Sequence, residues 1–226
     1  MSTRIGMIVP SSNTVAEVDF YRRLPADCTL HTARMYLEET TPEGEAEMLD
    51  AHVPRATTDL ATARPDVAVF ACTSAGALRG NAYEAELIDQ IGTRTKAATF
   101  SVAASVRWAI RAAGCRRVGV VTPYVDSLNE KIAQSLQDDG LEVAGIHGLG
   151  ITENFAIADV EPERIAQFAA ECFAGSDIEL LFASCTNFRA FDAREEIHQA
   201  LGLPVVTSNQ AALAAVLDHL GVPAAA

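Results

Sequence analysis

The sequence predicts an α/β protein with two pseudo-symmetric lobes, each a four-stranded doubly wound parallel sheet, and an active site in the cleft between them. Two observations predict this class. Apolar segments of strand length alternate with segments of helix length, which is typical of parallel sheets covered by helices. The same order of segments also occurs twice, which indicates two fused halves of roughly 110 residues each.

One repeated spacing supports the duplication. Pro10 and Pro123 each end an apolar run, and each precedes a cysteine by 62 positions, Cys72 in the first half and Cys185 in the second. A further apolar strand and an alanine-rich helix follow each cysteine. The expected division is an N-terminal lobe over residues 1–101 and a C-terminal lobe over residues 102–208, with a helix over 209–221 as a candidate to complete the first lobe.

The first half begins with a strand over residues 3–9 and a polar turn, in which Ser and Asn side chains cap a helix that begins near Val15. The segment between Cys72 and the next helix contains two glycines and is expected to be a loop. The other predicted strands are 29–36, 67–71 and 97–101. The other predicted helices are 43–63, which Pro65 ends, 81–94 and 102–113.

The second half repeats this scheme. Residues 148–161 form the longest stretch without clear periodicity, and long irregular loops in compact domains are often binding loops or lids. The predicted strands are 118–123, 141–147, 180–184 and 204–208, and the predicted helices are 125–139, 162–175 and 209–220.

The composition excludes several classes of partner. A formal net charge of −13 argues against nucleic acid and against anionic membrane surfaces. No apolar run approaches the roughly 18 residues of a membrane span, and the chain enters a strand directly, so we expect no signal peptide. The expected location is the cytoplasm, where five cysteines are expected to remain thiols.

The two matched cysteines are the main candidates for chemistry. Each follows an apolar strand, so Cys72 and Cys185 should lie at the carboxyl edges of the sheets, where open α/β folds bind ligands. A single free cysteine is often a small buried hydrophobe, but matched positions in both halves favour a functional pair. Nearby N–H dipoles are expected to favour thiolate. One thiol would act as base or nucleophile and the other as acid.

Three motifs carry a family resemblance. They are Val9-Pro10-Ser11-Ser12-Asn13-Thr14 with Glu17, Cys72-Thr73-Ser74, and Ser184-Cys185-Thr186-Asn187. Together they resemble the maleate cis–trans isomerase branch of the aspartate/glutamate racemase superfamily, whose members use paired cysteines without a cofactor. Related arylmalonate decarboxylases lack the first-lobe cysteine, so Cys72 argues against that activity.

The resemblance implies a specific function. It implies that maleate, or a close small dicarboxylate, is converted to fumarate through a covalent cysteine adduct, in an enzyme that forms a homo-oligomer. Cys72 would be the nucleophile and Cys185 would handle the proton. The polar positions implied for substrate binding are Asn13, Tyr124 and Asn154, and further expected donors are Ser11, Thr73, Ser74, Thr186 and Asn187.

The same residues also fit other roles and functions. Asn13 has an alternative role as a helix cap. A racemase of amino acids or hydantoins would use the same two cysteines, and a non-catalytic relative would only bind a carboxylate. We expect no metal and no cofactor, because the five histidines show no zinc-type spacing and no dinucleotide fingerprint precedes a helix.

Overall fold

The computed structural model describes residues 2–222 and contains eight strands in two sheets. The strands are β1 (Thr3–Pro10), β2 (Cys28–Met35), β3 (Val67–Phe70), β4 (Ala98–Ser101), β5 (Arg117–Thr122), β6 (Glu142–Gly148), β7 (Leu180–Ala183) and β8 (Val205–Thr207). The first sheet has the order β2-β1-β3-β4 and the second β6-β5-β7-β8, and every pair is parallel. The predicted fold class is confirmed.

Helices cover both sheets. They are α1 (Ala16–Tyr21), α2 (Pro42–Glu47), α3 (Val53–Thr62), α4 (Thr73–Leu78), α5 (Asn81–Thr95), α6 (Val102–Ala112), α7 (Asp126–Asp138), α8 (Asn154–Ile157), α9 (Pro162–Phe173), α10 (Ala190–Leu201) and α11 (Ser208–His219). A π-helical segment over Met48–His52 joins α2 to α3, so the helix predicted over residues 43–63 is interrupted. None of the helices described is long and apolar enough to cross a membrane.

The inner strands explain the apolar runs of the sequence. Every residue of β3 and of β7 is buried, because helices cover both faces of a parallel sheet and leave no position for a polar side chain. The edge strand β6 instead alternates between exposed and half-buried residues. The central strands of both sheets are therefore the segments that the sequence pattern identifies most directly.

Two glycines show that the duplication extends to packing. Gly6 in β1 and Gly119 in β5 occupy equivalent strands. A Cβ atom at Gly6 would lie 2.9 Å from the Leu60 side chain of α3, and one at Gly119 would lie 2.7 Å from the Phe173 ring of α9. In both lobes, the helix that follows the edge strand approaches the centre of the sheet more closely than a larger residue would allow.

One buried core spans the two halves, and a second apolar cluster, which includes Cys72, lies within the first half. A continuous cluster of buried apolar side chains extends from β1 and β3 to β5 and β7. Helices α6 and α11 pack against each other, and α11 contacts both β4 and β8, the last strands of the two sheets. The division at residues 101 and 102 stays a prediction, with α11 packed against both lobes.

Two segments differ from the prediction. The expected loop after Cys72 is the short helix α4, which packs against α6 and α7. Its small residues allow this approach, since a Cβ at Gly76 would lie 3.1 Å from that of Ala103. The irregular stretch over residues 148–161 contains α8, and a helix absent from the prediction, α10, covers the second sheet.

Candidate active site

Cys72 and Cys185 lie at equivalent ends of the two sheets. Cys72 follows β3 and Cys185 follows β7, and each of these strands pairs with the first strand of its half at the point where the strand order reverses. This reversal is where doubly wound sheets open a crevice for ligands. Both side chains are buried, with 5 % of each residue exposed.

Hydrogen bonds between the lobes bring the two cysteines into one site. The hydroxyl of Thr186, directly after Cys185, donates to the carbonyl of Ala71, directly before Cys72, at 3.2 Å. The hydroxyl of Thr73 donates to the Ser208 hydroxyl at 2.9 Å, and that oxygen also accepts from the Cys185 backbone N–H at 2.9 Å. Burial is the main factor that raises the pKa of Tyr124, and the charges of both sulfurs raise it further, so Tyr124 lies near both.

Cys72 has extended backbone geometry and caps the start of α4. Burial is the main factor that raises the pKa of its thiol well above the usual range, and the charge of Glu45 raises it further. The Ala75 backbone N–H and the Ser74 hydroxyl, whose oxygen lies 3.9 Å from the sulfur, lower it. The influences that raise the pKa are stronger than those that lower it, so Cys72 is a thiol in the resting protein.

Cys185 has a different backbone and different neighbours. Its φ of 110° lies in a region that L-residues rarely adopt, at a cost of about 1–3 kcal/mol. The resulting turn directs the Asn187 N–H to the sulfur at 3.2 Å. Burial raises the pKa of Cys185 to about 11, although hydrogen bonds from Tyr124, Asn187 and Phe188 lower it.

Local N–H dipoles favour thiolate at both positions, as expected, but they do not decide the protonation state of the resting protein. Backbone N–H groups do contact both sulfurs, as expected for turns at the ends of strands. Burial outweighs them, because the desolvation of a thiolate in this closed interior costs more than these hydrogen bonds return. Both thiols therefore keep their protons at neutral pH.

Asn13 is shared between two roles. Its Oδ1 accepts from the Val15 and Ala16 backbone N–H groups at 3.0 Å, so it caps the first turn as α1 begins. Its Nδ2 donates to the Thr186 hydroxyl at 3.0 Å. The neighbouring Asn187 accepts from the Thr14 N–H and thereby links the lobes. Ser11 and Ser12, the serines of the predicted helix cap, hydrogen-bond to the Leu37 backbone instead.

Two loops, one from each lobe, hydrogen-bond to each other close to Asn13. We call residues 37–41 of the first lobe and 149–154 of the second the clasp. The Thr40 N–H donates to the Thr152 carbonyl at 2.6 Å, and the Thr40 hydroxyl donates to Asn154 Oδ1 at 3.1 Å. Asn154 Nδ2 in turn donates to Ser12, while the Ser11 hydroxyl accepts from the Leu37 N–H at 3.1 Å.

The predicted site residues thus fall into two groups. Ser74 and Tyr124 contact the sulfurs of Cys72 and Cys185, and Thr73 is joined to Cys185 through Ser208. Asn13, Ser11, Asn154, Thr186 and Asn187 hold the lobes and the clasp together in this closed structure.

Two residues of the site are absent from the sequence prediction. Ser208 joins Thr73 to Cys185, and its position at the end of the last strand matches Ser101 in the first half, which was a usable signal. Glu45 is completely buried and accepts a hydrogen bond from Ser74. The sequence signal for Glu45 was its place one helical turn before Met48 and Leu49, which puts it on the buried apolar face of the helix.

Basic groups do not dominate this site. The strongest influences on the pKa values of Cys72, Cys185 and Glu45 include no Lys, Arg or His. Within residues 2–222, no three His, Cys, Asp or Glu side chains form a group that could hold a metal ion. The arrangement offers two thiols, a phenol and a buried carboxyl group for proton transfer and nucleophilic addition.

The fold and site define a class, the two-lobed α/β proteins that carry one cysteine in each lobe of a shared cleft. Residues 5–226 match the sequence model of the arylmalonate decarboxylase family, and the chain belongs to that family. It is 31 % identical to an arylmalonate decarboxylase from Bordetella bronchiseptica, over 92 % of this chain and 86 % of that one.

Maleate isomerases are similar over nearly the whole chain. The chain is 27 % identical to a maleate isomerase from Nocardia farcinica, over 98 % of this chain and 92 % of the relative. A crystal structure of the maleate isomerase Iso from Pseudomonas putida S16, a cysteine-to-alanine variant with maleate, superposes with a TM-score of 0.92. Its identity is 28 %, covering 99 % of this chain and 94 % of that one. The predicted resemblance to the maleate isomerase branch is confirmed.

Proposed function

We propose that this protein is a maleate isomerase, which converts maleate to fumarate without a cofactor through a covalent adduct on Cys72. The observation that carries the proposal is the pair of buried thiols at equivalent strand ends, held in one cleft by hydrogen bonds between the lobes. A cysteine-to-serine mutant of the Nocardia farcinica enzyme has been crystallised with a covalently bound succinylcysteine intermediate, which supports an adduct of the same kind here.

The reaction balances without an external reactant. The Cys72 thiol first passes its proton to a neighbouring oxygen, which returns it when the sulfur leaves. The Cys72 sulfur adds to one alkene carbon, and the neighbouring carbon takes the proton of the Cys185 thiol. The carbon–carbon double bond becomes a single bond, so rotation about it is easy. Cys185 then removes a proton from the same carbon, the bond to sulfur breaks, and the double bond forms again in the trans arrangement.

The surroundings of Cys185 suit the proton-transfer role. With a pKa of about 11, only roughly one molecule in ten thousand carries the thiolate at pH 7, so the thiol is available as an acid. Hydrogen bonds from Tyr124 and Asn187 then stabilise the thiolate that remains after the proton is transferred. This prepares Cys185 to take the proton back in the second half of the reaction.

The dicarboxylate is held by neutral donors in this proposal. The strongest influences on both sulfurs include no basic side chain, so hydroxyl, amide and backbone N–H groups must supply the hydrogen bonds. The donors that contact the sulfurs are the hydroxyls of Ser74 and Tyr124 and the Asn187 N–H, and opening of the clasp would free the side chain of Asn154. We further propose that the enzyme is a homo-oligomer, which rests on the family resemblance, and that it acts in the cytoplasm, which rests on the sequence expectation given above.

The test is the conversion of maleate by purified protein, followed by nuclear magnetic resonance of maleate and fumarate. We expect turnover by the wild type and none by Cys72→Ala or Cys185→Ala, because each removes a reacting sulfur. Cys172→Ala is the matched control, since Cys172 is a half-buried thiol of α9. The proposal fails if Cys72→Ala still forms fumarate, or if maleate stabilises the folded wild type without being converted.

A further inference from the structure

The thiol of Cys72 needs a proton acceptor before it can act as a nucleophile. Burial and the charge of Glu45 keep it protonated at neutral pH. Neither a histidine nor a lysine is among the main influences on its pKa, which excludes the common ion-pair route to a reactive thiolate. The proton must therefore pass to a neighbouring oxygen.

Glu45 is placed to receive it. The residue lies in α2, which packs against α4, the helix that Cys72 caps. Its side chain is fully buried, and Oε1 accepts a hydrogen bond from the Ser74 hydroxyl. The other oxygen, Oε2, is buried and has no hydrogen-bond partner among the described residues. A buried carboxyl oxygen without a partner is costly, so the position calls for a functional explanation.

Ser74 lies between Cys72 and Glu45. Its hydroxyl proton is donated to Glu45, so its oxygen is free to accept the thiol proton of Cys72, whose sulfur lies 3.9 Å away. A proton leaves sulfur for the Ser74 oxygen as the hydroxyl proton moves to Glu45. The products are a thiolate, an unchanged serine and a neutral carboxylic acid, so charge and atoms balance.

We propose that Glu45 exchanges the proton of Cys72 through the Ser74 hydroxyl, and so activates the nucleophile of the proposed isomerase. The carboxyl takes the proton as sulfur attacks and returns it when sulfur leaves. The inference deepens the proposed function and rests on it for its turnover measurement.

The titration of Glu45 fits this role. Burial raises the pKa of its carboxyl group to about 8, and the hydrogen bond from Ser74 lowers it only in part. At pH 7 a carboxyl group with that pKa is roughly nine-tenths protonated, so the carboxylate that accepts the Cys72 proton is the minor form there and becomes the major form above about pH 8. The titratable groups that couple to it are Cys72, Tyr124 and Cys185, all of which face the cleft.

The first experiment uses no substrate. Alkylation of Cys72 by iodoacetamide is followed by peptide mass across the pH range, in full-length protein that also carries Cys185→Ala. We expect two inflections, of which one reports Glu45. Glu45→Gln should show a single inflection, at a lower pH than the higher of the two wild-type inflections. The reason is that the variant lacks the negative charge that opposes formation of the Cys72 thiolate. An unchanged profile in Glu45→Gln would overturn the coupling.

The second experiment measures maleate turnover in otherwise wild-type protein. Removal of the relay should lower kcat by about 10²- to 10⁴-fold in Glu45→Gln, although its thiol is easier to ionise. Ser74→Ala should cause a similar loss with Glu45 still present, and the double variant should lose no more than either single one. The control, Glu47→Gln, changes an exposed glutamate of the same helix.

The outcomes separate the two proposals. If wild type does not convert maleate, the proposed function fails and the alkylation profile alone decides the coupling of Glu45 to Cys72. If wild type is active and Glu45→Gln is equally active or faster, Glu45 is only an electrostatic hindrance and the relay is refuted. Circular dichroism checks the fold of each variant, and Ser74→Ala supplies the test should Glu45→Gln fail to fold.

Discussion

The two cysteines occupy equivalent positions and are equally buried, but their backbone geometry and the side chains near their sulfurs differ. Cys72 has an extended backbone and a buried carboxyl group near its sulfur, joined through Ser74. Cys185 has a strained backbone with a φ of 110° and is surrounded by donors, namely Tyr124 and two backbone N–H groups. The first sulfur lies beside a proton acceptor and the second beside groups that stabilise negative charge.

This difference shows how a duplicated fold acquires two distinct roles. The sheets repeat the same strand order, and even the packing glycines Gly6 and Gly119 are equivalent. In the proposed reaction, the chemistry depends on residues that differ between the two copies, since Glu45 comes from a helix after the edge strand and Tyr124 takes the place that Ser11 has after Pro10. The proposed assignment of nucleophile and acid therefore depends on these neighbours rather than on the cysteines themselves.

The strongest test of this asymmetry compares Cys185→Ser with Cys72→Ser. Both should lose at least about 10³-fold in turnover, because each lacks one reacting group. Only Cys185→Ser should gain the mass of one bound maleate, since it keeps the sulfur that adds to the alkene. Intact mass spectrometry after incubation with maleate measures this, and an adduct on Cys185 in Cys72→Ser would reverse the two roles.

A second test concerns the cost of the buried carboxyl group in the first lobe. The pKa of Glu45 rises from an ordinary value near 4.5 to about 8 on folding, so between these values the folded state holds a proton that the unfolded state has lost. Stability should therefore fall with rising pH across that window, by about 1.4 kcal/mol per pH unit from this residue. Glu45→Gln should remove that slope.

Urea denaturation at several pH values between about 5 and 8 measures this pH dependence of stability through the denaturation midpoint. Glu47→Gln, on the exposed side of the same helix, should keep the wild-type slope. An equal slope in Glu45→Gln would mean that the carboxyl group is solvated and ionised in the folded protein.

The smallest expected effect concerns the second lobe. Tyr124→Phe keeps the ring but removes the hydroxyl that lowers the pKa of Cys185. The pKa of Cys185 should rise, with about a tenfold loss in thiolate population for each unit of the rise. The pH profile of kcat measures this as an upper limb displaced to higher pH. A profile that matches wild type would show that the backbone donors alone stabilise Cys185.

Much of the fold was accessible from the chain alone. The buried strands β3 and β7 appear as uninterrupted apolar runs, and their following cysteines as a repeated motif. The helix α4 was missed because its small residues and internal glycine resemble a loop, and its stability comes from packing against α6 and α7. Glu45 was missed because a single acidic residue in an acidic segment is most simply a solvated one, and its place one turn before Met48 and Leu49 was the only signal against that interpretation.

By itself, the sequence determined the class of fold, the duplication and the two sulfurs, because apolar periodicity and repeated spacing are local properties of the chain. Only the tertiary structure decided the state of those sulfurs. Burial raises the pKa of both thiols against the local N–H dipoles, and contacts between distant segments place Glu45 near Cys72 and Tyr124 near Cys185. Desolvation depends on everything packed around a group, which no short motif can specify.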